Sequence, residues 1–105
     1  MVIEKNQKGK EAEIERINRI AYVLKGIGHT ARLQIIDLLK DYEALSVQQI
    51  MDQIEVEQTV LSHHLAKMRD LGLLTTQKDG KKIFYSLADK QIAKIISCMQ
   101  QCDIF

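Results

Sequence analysis

Between Gln58 and Leu87 the apolar residues change period once, from helical to alternating, and no linker separates the two stretches. Val60, Leu61, Leu65 and Met68 mark one face of a helix from about Gln58 to Leu71, and Gly72 is a natural stop for it. Leu73–Gln77 and Lys81–Leu87 then read as short strands, the second alternating Ile83 and Tyr85 with Phe84 and Ser86. Asp79-Gly80 lies between them, a pair that signals a tight hairpin because both positions tolerate positive φ. A helix of this type can enter a DNA groove while a charged hairpin tracks the phosphates beside it.

The rest of the chain supplies helices. Ile14, Ile17, Ala21 and Leu24 form a helical stripe from about Glu11, broken by Gly26 and Gly28. A second helix is expected over Thr30–Lys40, with Leu33, Ile36 and Leu39 inward and Ile35 and Leu38 widening the face. Ser46-x-x-Gln49 is a capping box that opens a third helix of about nine residues, with Val47, Ile50 and Ile54 inward. Glu55–Glu57 break it from the Gln58 helix, and two helices so joined read as a helix-turn-helix. A last helix, about Asp89 to Asp103, carries Ile92, Ile95, Ile96, Met99 and Cys102 at helical spacing. The expected fold is mainly α with a β-hairpin wing, a winged helix-turn-helix in the order α-α-α-α-β-β-α. Residues 1–10 are expected to be a flexible tail, and 11–105 a single domain for DNA binding and dimerisation.

Charge supports the same reading. The net +1 conceals an imbalance: residues 58–87 hold five basic and two acidic side chains, whereas residues 1–57 hold eight and ten. Positive charge gathers where phosphate contact would use it. No apolar run approaches the roughly 20 residues of a membrane span, and the charged N-terminal stretch has no signal-peptide core, so a cytoplasmic location is expected. Cys98 and Cys102 are too few for a disulfide framework and lack the C-x2-C spacing of a zinc finger. No phosphate loop, nucleophile elbow or catalytic constellation is present, so the chain is not expected to be an enzyme or to carry a cofactor.

With these features in place, the chain resembles the ArsR/SmtB family of winged-helix transcriptional repressors over about residues 11 to 103. Three stretches carry the resemblance. Gln58-Thr59-Val60-Leu61-Ser62-His63-His64-Leu65 looks like that family's recognition helix. Leu71-Gly72-Leu73-Leu74, Asp79-Gly80-Lys81-Lys82 and Phe84-Tyr85-Ser86-Leu87 look like its wing. Gly28-His29-Thr30-Ala31-Arg32-Leu33 looks like the opening of its second helix. Two departures stand out. Thr30-Ala31-Arg32 replaces the family's usual Pro-Thr-Arg, and Glu57, a poor cap, stands where the recognition helix often begins with Ser. The resemblance implies a homodimer seamed by the first and last helices, with one recognition helix per subunit in a major groove. A palindromic operator on double-stranded DNA follows from that twofold symmetry.

Site expectations follow. Gln58, Thr59, Ser62 and His63 are expected at base edges and phosphates, with Lys67 on the same polar side. Lys78, Lys81 and Lys82 of the wing are expected on phosphates. His64 is expected to pack structurally and Arg32 to anchor the second helix. The resemblance also implies places to look for an effector. The thiolate site at the third helix is absent, since Leu45–Gln49 contains no cysteine. The positions matching the last-helix zinc site are Asp89, Gln91, Cys102 and Phe105, of which Gln91 and Phe105 are poor ligands, so no metal is assigned. Asp89 also serves as an N-cap. Cys98 and Cys102, one helical turn apart, either respond to a thiol-reactive or soft-metal effector or pack as small hydrophobes at the seam. The other function class kept open is a winged-helix module for protein contact, without specific DNA binding.

Overall fold

The computed structural model describes residues 7–104. Helix α1 (Gln7–Ile27) begins four residues before the expected Glu11, so residues 7–10 are helical; residues 1–6 of the expected tail lie outside the described residues. Gly28 closes α1 with its N–H on the Leu24 carbonyl at 2.9 Å, and α2 (Thr30–Leu39) follows. The core face of α2 is Ile35, Ile36 and Leu39, each no more than 1% exposed. Leu33, expected inward, is instead open to solvent because it lies to one side of that face. Lys90 reaches back across the fold and donates to the Leu39, Lys40 and Tyr42 carbonyls at 2.9, 3.3 and 2.5 Å. An ammonium there satisfies carbonyls at the negative end of α2.

A two-residue strand that the sequence did not announce, β1 (Leu45–Ser46), joins the sheet. It pairs antiparallel with the far strand of the hairpin, Leu45 opposite Tyr85 and Ser46 opposite Phe84. Ser46 then caps α3 (Val47–Met51): its Oγ accepts from the Gln49 N–H at 3.2 Å, while Gln49 Oε1 accepts from the Ser46 N–H at 2.9 Å. The helix is five residues long rather than nine, and Ile54, buried as expected, lies beyond its end.

Helix α4 (Gln58–Asp70) buries Leu61, His64, Leu65 and Met68, an i, i+3, i+4, i+7 stripe. Val60, expected on the core face, is 45% exposed, because it sits about 100° around the helix from Leu61. Glu57 precedes the helix without a side-chain cap, in keeping with its poor capping chemistry. The C-terminal end is closed by a complete Schellman arrangement. Gly72 adopts φ +80°, its N–H bonds the Arg69 carbonyl, and the Leu73 N–H bonds the Met68 carbonyl, both at 2.9 Å.

Strands β2 (Leu74–Asp79) and β3 (Lys82–Leu87) form the hairpin, and the sheet order is β1-β3-β2. Asp79 pairs with Lys82, so the two turn residues are Gly80 and Lys81 rather than Asp79 and Gly80. Only Gly80 takes positive φ, +63°, as the first turn position of a type II′ hairpin requires. Tyr85 and Leu87 point into the core from β3, and Leu74 from β2. The last segment opens as a 3-10 turn (Lys90–Ala93), capped by the Asp89 carboxylate on the Gln91 N–H at 2.9 Å, and continues as α5 (Lys94–Gln100). No residue of α5 is buried.

Candidate nucleic-acid interface

Helix α4 has two faces with different chemistry. Its buried stripe locks it to the core, which leaves Gln58, Thr59, Ser62, His63 and Lys67 exposed on the other side. The wing lysines Lys78, Lys81 and Lys82 are exposed as well. A cleft of about 300 Å³ opens where the two units meet. Gln58 enters it from α4, Ser46, Gln48 and Met51 from the α3 region, and Lys81 and Lys82 from the wing. The sheet explains this convergence, since β1 ties the start of α3 directly to β3.

Gln58, Lys81 and Lys82, expected on DNA from the sequence, all line this cleft, and Gln48, not expected there, lines it too. Its signal was available: Gln48 follows the Ser46 cap by two residues, opposite the Ile50 face, and donates to Asp52 Oδ1 at 3.0 Å from an exposed position. Thr59, Ser62 and His63 continue along α4 outside the cleft lining. Lys67 lies elsewhere, in a concavity shared with α1 and α2. Lys78 is on β2, away from the cleft.

Behind the exposed face, His64 and Arg32 hold α4 in place, in the structural roles expected of them. Arg32 Nε donates to His64 Nδ1 at 3.0 Å, and Arg32 Nη1 donates to the Gly26 carbonyl at 2.6 Å. One guanidinium thus joins the end of α1, the first turn of α2 and the middle of α4. An acceptor at Nδ1 puts the imidazole proton on Nε2. The His29 ring lies 4.8 Å from that of His64 and the His63 ring 6.2 Å. Burial pushes the His64 pKa below the ordinary histidine value, and the Arg32 charge pushes the same way, as do His29 and His63.

Cys98 and Cys102 are both exposed free thiols, and Cys102 Sγ donates to the Cys98 carbonyl at 3.4 Å. Asp89 is engaged as a cap, and Phe105 lies outside the described residues. Among the described residues, no three His, Cys, Asp or Glu side chains come together as a metal-holding group. None of the described helices is long and apolar enough to cross a membrane.

The sequence profile of the family described as "Bacterial regulatory protein, arsR family" matches residues 29–76, from the turn before α2 into β2. The transcriptional activator HlyU of Vibrio cholerae is 36% identical over 90 residues, which cover 85% of this chain and 82% of that protein. This chain belongs to the arsR family. Its relatives within the family carry both signs of regulation in their names. The transcriptional repressor PagR of Bacillus anthracis is 34% identical over 79 residues, covering 75% of this chain and 79% of that one. Solved arsR-type structures superpose closely. HlyU from Vibrio cholerae gives a TM-score of 0.73 at 30% identity over 86% of this chain and 97% of its own. The repressor BigR from Xylella fastidiosa gives 0.76 at 29%, over 89% and 96%. As a member of the arsR family the chain is a winged helix-turn-helix DNA-binding transcriptional regulator, and the family consists of regulators rather than enzymes.

Proposed function

We propose that the protein is a homodimeric repressor that recognises a palindromic operator through α4 and its wing. The observation that carries this is the pairing of an exposed polar helix face with three exposed lysines on the adjoining hairpin. Gln58, Thr59, Ser62 and His63 reach base edges and nearby phosphates in the major groove. Gln48 joins them at the mouth of the cleft. Lys78, Lys81 and Lys82 lie along the flanking phosphates and fix the register without reading sequence.

Support for the dimer comes from apolar surface that the single chain leaves open. Ile14, Ile17 and Leu24 on α1 are 56%, 61% and 46% exposed, and Ile95 and Met99 on α5 are 36% and 42% exposed. The single chain extends 59 Å along its longest axis and only 22 Å along its shortest. A 21-residue helix with an unburied apolar stripe belongs against another subunit. Release from DNA follows an effector acting on Cys98 and Cys102, either a soft ion held by both thiolates or a reagent that modifies one. Both thiols are exposed in the single chain and lie one turn apart on or beside α5.

The test is fluorescence anisotropy with a duplex from upstream of the protein's own gene, titrated across a range of salt. Each phosphate neutralised contributes about 0.9 to the slope of log affinity against log salt. Lys81→Ala with Lys82→Ala removes four contacts from a dimer and should make that slope shallower by about 3 to 4. An unchanged slope would remove the wing from the interface. Tight binding released by arsenite, zinc or a persulfide donor, and made unresponsive by Cys98→Ser or Cys102→Ser, supports thiol control. Binding that none of these reagents releases returns both cysteines to seam packing.

A further inference from the structure

The concavity that takes up Lys67 has about 560 Å³, more than the reading cleft. Three helices build its walls. Tyr22 and Lys25 come from the end of α1, Arg32 from the first turn of α2, and Lys67, Asp70 and Leu71 from the end of α4. Three cationic side chains face a single carboxylate, so the cavity carries a net charge of +2.

That charge is not neutralised from within the fold. The ammonium groups of Lys25 and Lys67 make no hydrogen bond or ion pair with any described residue. Asp70 is paired instead with its neighbour Arg69, at 3.8 Å. Arg32 uses Nε and Nη1 on His64 and Gly26 and so is held in a fixed pose while its side chain lines the cavity. A rigid guanidinium flanked by two uncommitted ammonium groups is a receptor for a planar or tetrahedral oxyanion. Tyr22 and Leu71 add an aromatic ring and an aliphatic wall, which suit the organic part of such a ligand.

We propose that this cavity between α1, α2 and α4 binds a small organic anion, a carboxylate or phosphate monoester carrying a planar apolar group. The oxyanion sits among Lys25, Arg32 and Lys67, and the apolar group lies against Tyr22 and Leu71. The site is separate from the thiols on the last helix. Its occupant contacts both the helix that carries the open apolar stripe and the helix that carries the reading face.

The test needs no DNA, so it stands or falls independently of the operator reading. Phenyl phosphate is titrated into the full chain while backbone amide shifts are followed by NMR. Saturable shifts centred on Lys25, Arg32, Lys67 and Asp70 are expected. Inorganic phosphate should bind at least threefold more weakly, since it lacks the ring, and benzoate should compete for the same amides. Lys25→Glu with Lys67→Glu should weaken phenyl phosphate at least tenfold. Lys78→Glu with Lys81→Glu, the same charge change on the wing, should leave it unaltered. Shifts of equal size on the wing, no saturation, or equal loss in both double variants would overturn the proposal.

Discussion

Replacing Gly26 by alanine sets two effects against each other at the joint between α1 and α4. Gly26 has ordinary negative φ, so alanine fits its backbone without strain. In the last turn of α1, alanine should gain up to about 1 kcal/mol in helix propensity. Its Cβ, however, would overlap Leu71 Cδ1, with Leu71 Cγ and Cδ2 only 3.4 and 3.5 Å away. Leu71 is partly buried against the core, so displacing it gives up packing there. Overpacking of this kind costs about 1 to 3 kcal/mol. The steric term wins, and the net loss should be about 1 kcal/mol, or a fall in Tm of roughly 4 to 8 °C for a domain of this size. The decisive experiment is a double-mutant cycle by urea unfolding at fixed protein concentration, since the proposed dimer would make apparent stability concentration-dependent. In a Leu71→Ala background the obstruction is gone, and Gly26→Ala should then stabilise by up to about 1 kcal/mol. The sign of one substitution thus reverses with the other. Stabilisation by Gly26→Ala alone, or the same effect in both backgrounds, would show that α1 and α4 do not meet closely at this point.

Two further predictions concern the elements that hold the reading face. His64 has a folded pKa below its unfolded value, so between the two the unfolded chain binds more protons; stability should therefore fall as pH drops below about 6.5 and level off once the folded imidazole is protonated. His64→Gln, which keeps an acceptor for Arg32 and does not titrate, should flatten that fall in urea titrations between pH 7.5 and 5.5, and an unchanged profile would assign the dependence to other groups. Ser46→Ala removes the capping hydroxyl from α3 and should cost about 1 kcal/mol, read as a lower urea midpoint with the same m-value; no loss would mean that the backbone pairing of β1 alone sets the start of α3.

Much of the architecture was legible because it rests on local chemistry. Gly72 stops α4 since the Schellman turn needs a left-handed residue, and the capping box at Ser46 and Gln49 is written three residues apart. What escaped depends on distance in the chain. Strand β1 is two residues long and exists only because Tyr85 and Phe84 lie opposite it, forty and thirty-eight residues on; no alternation could announce it. The hairpin turn slid by one residue because the register that pairs Asp79 with Lys82 decides which residues turn. Val60 lies off the stripe because its fourth core position goes to His64, a polar residue that is held there by bonding Arg32 thirty-two positions away. On the site, the exposed face of α4 and the wing lysines could be read from pattern. The company that Lys67 keeps with Lys25 and Arg32 could not, since it depends on how α1 crosses α4.

Ser46 is the last residue of a strand and the cap of a helix at once, bonded to Gln49 on one side and in register with Phe84 on the other. A joint of that kind has no slack. Tilting the hairpin relative to α3 would disturb that cap. One residue inserted between Ala44 and Ser46 would turn the strand face over and take α3 and the hairpin out of register with each other.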